Sequence, residues 1–281
     1  MDHRERRLAI RFDVDTHLCM SKGVPNLIEL ANTHEVKFTF FINTGKAISY
    51  KEIFKSLLRR NSMPNAAEHL TAIEKLGLKE YLRLLFLNPK VTTGNENIVA
   101  DLIDQGHEIG LHGGINHASW QMRACHWDEE KVLENVRWGV SQLSSLGVKE
   151  VSGFSSPCWE HPKYLAGILS KLGFKCIADE HGYDFNKKEI LSSKIASIPT
   201  CMTAEPSGVA YFENLYARHL TMAEKSNIIT KQLDAVEDFI VVYDHPYFLG
   251  IHDLPTLDLT LKIANKLGFK IVPMRELIHD C

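Results

Sequence analysis

LAIRFDVDTHLCMSKGVPNLIELANTHEVKFTFFIN, residues 8–43, decides the architecture. An apolar run over Leu8–Phe12 reads as a strand. Val24–His34 follows with apolar residues at helical spacing, and Lys37–Asn43 is rich in Phe, Thr and Ile, the residues of a buried strand. Strand, helix, strand is a crossover unit, and a helical crossover joins parallel strands. The rhythm continues along the chain. Ile98–Gln105 predicts a helix and Glu108–Leu111 a strand. Glu129–Leu146 predicts a helix, Val151–Phe154 a strand, Pro162–Leu172 a helix and Lys175–Ala178 a strand. Ile195–Pro199, Phe239–Tyr243 and Lys270–Val272 are further strand candidates, with helical patterns over Leu220–Val236 and Thr256–Leu267. The string KLGFK occurs twice, at 171–175 and 266–270, where a helix ends at glycine and a strand begins. Seven or eight such units suit a closed or partly closed (β/α) barrel, with a doubly wound open sheet as the alternative.

Residues 46–90 break this rhythm. They hold nine Lys/Arg against four Glu, a net of +5, with apolar clusters in YKEIFKSLLRR and KEYLRLLFL. Two readings fit: an inserted helical pair with a solvated basic face, or an interfacial element that meets anionic lipid or a lipid-linked substrate. The chain as a whole is ordinary, with 281 residues, 44% hydrophobic, 24% charged and a net charge of −3. That balance gives no global attraction to nucleic acid. It contains no run of eighteen apolar residues, and MDHRERRLAIRF at the start lacks the apolar stretch of a signal peptide. The six cysteines, at 19, 125, 158, 176, 201 and 281, form no C-x-x-C pair. The expectation is a cytoplasmic protein with reduced thiols.

Three constellations carry chemistry. Asp13 and Asp15, in RFDVDTH, lie two apart at a strand end, so alternation puts them on one face; paired carboxylates are costly without a shared cation or proton. His112 and His117, in GLHGGINH, flank a Gly-Gly turn after the strand GHEIGL, and its glycines permit the backbone angles that would let both rings meet one ion. His245, in VVYDHP, stands at the end of a β-branched strand that Pro246 stops. Each alone has a bland explanation: a turn or helix cap, unrelated surface histidines, a structural histidine. Together they lie at the C-terminal ends of predicted strands, where α/β barrels and open sheets both keep their sites. One carboxylate and two imidazoles make a site for a hydrolytic or redox metal, and a second carboxylate and a third histidine remain as base and acid.

At these residues the sequence resembles the polysaccharide deacetylase superfamily, whose members hydrolyse N-acyl groups on sugars. Asp13 and Asp15 match its Asp motif, His112 and His117 its paired-histidine motif, and His245 its late His-Pro motif. The similarity runs from about Leu8 to Leu277. A narrower resemblance, in residues 10–45 and in GHEIGLHGGINHASWQ, is to bacterial deformylases of lipid-linked formamido-arabinose, which also carry a basic helical insertion after the second strand. The resemblance implies a distorted (β/α)7-type barrel of parallel strands over residues 1–281, with a helical insertion at 46–95. It implies a divalent metal, zinc, on Asp15, His112 and His117, with Asp13 as base and His245 as acid. Substrate contacts would fall to His17, Ser156, Trp159, Asp179 and Tyr247, with an oxyanion donor in the Ser155–Trp159 turn. The substrate would be an amino sugar, a precursor or lipid-linked, met in the cytoplasm or at the inner membrane face through 46–90. Two departures stand out. The histidines are five apart where the family has four, with Asn116 in the usual place. GFSSPCW puts Ser155 where the family has an arginine, which leaves open what holds Asp13. The competing readings are a deacylase of a compact non-sugar amide, such as a cyclic ureide or imide, and a metal- or sugar-binding protein without turnover.

Overall fold

The computed structural model describes residues 5–51, 72–180, 189–190, 195–204 and 210–278. Its sheet holds nine strands: β1 (Arg7–Val14), β2 (Thr39–Ile42), β3 (Glu108–His112), β4 (Gly153–Ser155), β5 (Cys176–Ile177), β6 (Glu189–Ile190), β7 (Ala196–Ser197), β8 (Phe239–Asp244) and β9 (Lys270–Ile271). The order is β6-β7-β5-β4-β3-β2-β1-β8, with β9 also on β1. Every pair is parallel except β6 with β7. β9 pairs the first residues of β1, Arg7 and Leu8, while β2 pairs its last, Arg11–Val14. Beyond β7 the chain returns to β8, where Met202 bridges Val242 in parallel and the amides of Cys201 and Met202 both donate to Val241 O. The curled sheet therefore closes into a distorted (β/α) barrel through one short contact, as the alternation of strands and helices predicts.

The helices are α1 (Val24–Thr33), α2 (Ala72–Phe86), α3 (Glu96–Asp104), α4 (His117–Arg123), α5 (Glu129–Ser145), α6 (Leu165–Lys171), α7 (Tyr211–Ala217), α8 (Met222–Asp234), α9 (Pro246–His252) and α10 (Leu254–Lys266). Their starts follow capping chemistry. Asp128 accepts from Lys131 N at 2.8 Å before α5, and Thr221 and Glu224 cap each other's backbone before α8. Both KLGFK strings end a helix on a left-handed glycine, Gly173 and Gly268, at φ +88° and +78°. Of the basic insertion, 52–71 lies outside the described residues. The rest carries α2, which Gly77 interrupts at φ +72°. α4, α7 and α9 are short and show no clear period in the sequence.

Alternation on β1 divides the core. Ile10, Phe12 and Val14 face the helix layer, where Phe12 packs on Phe38 and Phe40. Arg11 and Asp13 face the barrel interior with Phe41 of β2, over whose ring the Arg11 guanidinium sits. Gly110 and Gly153 make room for that ring: a Cβ on Gly110 would lie 2.4 Å from it and one on Gly153 3.1 Å. At the other end of the barrel Glu108 is buried, accepting from Thr39 Oγ1 at 2.8 Å and Arg275 N at 2.9 Å.

His107, just before β3, accepts from Phe38 N through Nδ1 at 3.1 Å. Burial, with Lys37 and Arg275 nearby, pushes its pKa down from 6.5 to about 4. The unfolded chain therefore binds a proton here that the native state rejects, so stability is full above pH 6.5 and is lost as pH falls toward 4. The expected loss is on the order of 3 kcal/mol. Urea unfolding across pH 4–7 measures it, with His107→Gln as the control that flattens the curve. An unchanged slope in that variant would assign the acid sensitivity elsewhere.

Candidate active site

The C-terminal mouth of the barrel gathers the chemistry-bearing side chains. β1 delivers Arg11, Asp13 and, one residue past its end, Asp15, all on one face by the two-residue period. Asn43 fixes the exit, donating to Asp15 O at 3.0 Å and accepting from Gly45 N at 2.9 Å. The chain then packs on α9 at two glycines: a Cβ on Gly23 would strike Pro246 O at 2.1 Å, and one on Gly250 would strike Gly23 O at 2.4 Å. This close approach ties the Asp15 loop to the element that begins at His245.

β3 ends at His112, and the following turn is folded tightly. Gly113 is left-handed at φ +73°, and Gly114 lies so close to Asn135 of α5 that a Cβ would come within 2.6 Å. Asn116 is the cap of α4, accepting from Ser119 N at 2.8 Å while its amide donates to Ile48 O at 2.8 Å. His117, the first residue of α4, thus turns back toward the strand. Its Nε2 lies 3.2 Å from His112 Nε2. Asp15 Oδ1 stands 3.2 Å from His112 Nε2 and 3.4 Å from His117 Nε2. From the opposite wall His245, the cap residue between β8 and α9, sets Nε2 3.2 Å from Asp15 Oδ2 and 2.8 Å from Tyr243 Oη.

This arrangement suits a cation. Asp15 Oδ1 is buried with no hydrogen-bond partner, and both imidazoles bring a ring nitrogen to the same point. A tetrahedral ion with bonds of about 2.0–2.1 Å separates neighbouring ligands by about 3.3–3.4 Å. Three donor atoms at 3.2–3.4 Å match that spacing. The electrostatics agree. Burial raises Asp15, but His117, His245 and His112 outweigh it and hold the carboxyl well below its ordinary range. Burial lowers His112, but Asp13 and Asp15 reverse the balance and raise it. Burial likewise depresses His245, and Asp15, Glu213 and Asp244 lift it to about 9.

The other sequence candidates sit around this centre. Asp179 is buried and bonds Ser156 twice, accepting from its N at 2.6 Å and its Oγ at 2.5 Å. Burial raises its pKa, opposed by His161 and by these bonds. The pair pins the turn in which Cys158 and Trp159 take positive φ, 52° and 62°. Both the Ser156 and Trp159 amides in that turn are engaged, the latter with Ser156 O at 3.0 Å. The Trp159 ring lies over the Arg11 guanidinium, 4.7 Å from its centroid, and edge-on to Tyr243. Tyr247 stacks on His245 with centroids 5.1 Å apart. His17 stands off the cluster, its Nε2 3.2 Å from Thr93 O, at a groove shared with Leu18, Arg83 and Leu84. Burial and Arg83 lower its pKa.

Sequence reasoning passed over Arg11 and Tyr243. Both were signalled by period two: Arg11 precedes Asp13 by two, and Tyr243 precedes His245 by two. It also passed over Glu213, whose carboxylate lies with those of Asp244 and His245's ring in a second group, all within 4.8 Å. Asp244 accepts from the amides of Phe212 and Glu213 at the start of α7 and from His245 N. Burial and Glu213 push it up to about 7.

The sequence profile of the polysaccharide deacetylase family matches residues 1–177. The chain belongs to that family. A curated relative in Wigglesworthia glossinidia brevipalpis, described as a 4-deoxy-4-formamido-L-arabinose-phosphoundecaprenol deformylase, is 23% identical over 266 residues, 91% of this chain and 87% of the relative. Among solved structures, a Mycobacterium smegmatis protein described as a polysaccharide deacetylase superposes with a TM-score of 0.64 at 15% identity, covering 99% of this chain and 91% of its own. A CE4 family pseudoenzyme from Bacillus anthracis gives 0.53 at 10% identity, covering 98% of this chain and 66% of its own. These likenesses show the shared barrel. With the family assignment and the deformylase relative, the chain is a carbohydrate N-deacylating hydrolase, acting on carbon–nitrogen bonds other than peptide bonds.

Asp179→Ala would leave the Ser156 amide and hydroxyl buried without their acceptor. The expected cost is about 1–3 kcal/mol, smaller for Asp179→Asn, which keeps one acceptor oxygen. Chemical denaturation reads the difference. Wild-type stability in the alanine variant would mean that the strained turn holds without this residue.

Proposed function

We propose that this protein removes an N-formyl or N-acetyl group from an amino sugar carried on a precursor or a lipid, using a divalent metal, zinc, bound by Asp15, His112 and His117. The observation that carries the reading is the convergence of Asp15 Oδ1 with both imidazole Nε2 atoms, while His245 reaches the other oxygen of the same carboxylate. Two nitrogens and one oxygen, with positions left for water and substrate, suit zinc. When bound there, such an ion supplies Lewis acidity at the acyl carbonyl and lowers the pKa of water toward neutrality.

The chain's own residues do the rest. Asp13, one pleat below Asp15, takes the proton of the attacking water. His245, which stands at the far oxygen of Asp15, gives the Nε2 proton to the departing amine nitrogen. The products are the free amino sugar and formate or acetate. Tyr243 holds His245 by its hydroxyl, and Tyr247 fixes the plane of its ring. Trp159 and the Ser156–Asp179 turn, with His17 farther out, are the residues that would contact the sugar. The deformylase relative favours formyl as the first group to test.

The basic insertion supports a lipid carrier. In α2, Leu78, Leu82 and Phe86 are exposed at intervals of four, continued by Leu87, and Lys79 lies on the same helix. An apolar stripe flanked by cations fits a bilayer interface with anionic headgroups. Among the described residues no helix is long and apolar enough to cross a membrane.

Elemental analysis of the purified protein should find about one zinc per chain, lost in Asp15→Ala and His112→Ala, since each removes one of three protein ligands. Asp13→Asn should keep the metal and lose about 100-fold or more in amine release from N-formyl amino sugars, and His245→Ala should do the same with KM little changed. A wild type that binds no metal after reconstitution would overturn this mechanism in favour of a binding protein without turnover.

A further inference from the structure

A second question is what holds Asp13, given that Ser155 occupies the place where the family resemblance leads one to look for an arginine. The structure answers from β1 itself, two residues before Asp13. Arg11 is completely buried inside the barrel. Its Nη2 donates to both oxygens of Asp13, Oδ2 at 2.9 Å and Oδ1 at 3.2 Å, and to Ser155 Oγ at 2.8 Å. Ser155 Oγ in turn donates to Asp13 Oδ2 at 3.2 Å, which closes a three-membered ring of hydrogen bonds. Nη1 donates to Ala178 O. Three rings surround the guanidinium, those of Phe41, Trp159 and Tyr243, their centroids 5.1, 4.7 and 4.9 Å from Cζ.

We propose that Arg11 is the positioning residue for Asp13, fixing the plane of the carboxylate by holding both of its oxygens, with Oδ2 also held by Ser155. This rests on the reading of Asp13 as the proton acceptor. A guanidinium is fitted to the task where an ammonium is not. It is planar, it keeps its charge in a buried place, and one terminal nitrogen can give one hydrogen to Asp13 and another to Ser155. Fixed geometry matters because a base displaced by about 1 Å can lose about 100-fold in rate. The clamp is itself built from the walls of the site, since Tyr243, which packs edge-on against Trp159, also borders His245. Arg11 therefore couples the placement of the base to that of the proposed acid. Ser155 is the second anchor, and its small side chain is what leaves room for the Arg11 side chain to cross between β1 and β4.

The test compares Arg11→Met, Arg11→Lys and Ser155→Ala with the wild type. Its readouts are zinc content, kcat and KM on N-formyl amino sugars, and the orientation of the Asp13 carboxylate in crystals. In Arg11→Met, kcat should fall about 100-fold with zinc content and KM kept, and the carboxylate should rotate from its wild-type plane. Arg11→Lys should recover part of that loss, about tenfold, because it restores the charge without the fork. Ser155→Ala should show a smaller loss in kcat, again without loss of zinc. Wild-type kcat and an unmoved Asp13 in Arg11→Met would overturn the proposal. Equal losses of zinc and activity in both Arg11 variants would overturn it too, because they would mark a residue that only supports the fold. If Arg11→Met does not fold, Arg11→Lys alone decides: an unmoved carboxylate with wild-type kcat is against. If the wild type releases no amine from any sugar in the panel, the deacylase reading fails separately, and the Asp13 orientation in Arg11→Lys still judges the positioning role.

Discussion

A guanidinium and a carboxylate lie side by side in the interior of this barrel, both cut off from water. Such a pair is tolerated only when its remaining donors and acceptors are satisfied, because the desolvation of two charges rivals their attraction. Much of the mouth of the barrel can be read as meeting that demand for Nη1 and Nη2 of Arg11, while its Nε is buried without a hydrogen-bond partner among the described residues. Gly110 and Gly153 lack side chains where the Phe41 ring packs beside Arg11. Ala178 lends its carbonyl from the end of β5, and Ser155 its hydroxyl from β4. Trp159 reaches the guanidinium only because the turn before it takes two left-handed residues, and that turn is pinned by Asp179. A single buried charge on β1 thus organises strands β2 to β5 and the β4 turn around one point.

The same carboxylate-rich mouth explains why the histidines converge. Asp15 divides its oxygens, Oδ1 toward His112 and His117 and Oδ2 toward His245. Without an ion, the balance of burial and nearby carboxylates raises both His112 and His245, so the pocket draws in positive charge as protons. A divalent ion would serve the first pair better, because it can be shared by three donors where a proton is shared by two. His245 lies on the far oxygen, away from that triangle, and so remains free to carry a proton. In the reading proposed above, this separation is what allows one carboxylate to serve the metal and to hold the acid.

Much of the frame was legible in the sequence because it rests on local rules. Strand–helix alternation, the glycines of KLGFK and the strand-end positions of Asp13, Asp15, His112 and His245 all follow from period and turn chemistry. The short helices α4, α7 and α9 were not legible. They run for seven residues each and are defined by what they pack on, as Gly23 packs on α9, more than by any pattern of their own. β6 was missed for a similar reason: two residues in an antiparallel pair leave almost no trace. Arg11 was the informative omission. Its place on the Asp13 face was written in the two-residue period, but a lone arginine in a strand reads as an exposed residue until the partners that surround it are known.

The unusual spacing of the histidines follows from the helix that begins between them. With four residues from one histidine to the next, position 116 would have to supply the second ring. Here that position holds Asn116, which spends its oxygen on the Ser119 amide and its nitrogen on Ile48 O. Asparagine is a strong helix cap and histidine a poor one, so the cap fixes the first turn of α4 and leaves the next residue to face the strand. His117 is that residue, held further by its own amide on Lys46 O at 2.9 Å. The extra residue is absorbed by Gly113 and Gly114, which press against Pro157 and Asn135 where no side chain could fit. The five-residue spacing therefore still brings two nitrogens and one carboxylate oxygen together. Because Lys46 opens the basic insertion and also anchors His117, the segment proposed to meet lipid and the candidate metal cluster share one backbone contact.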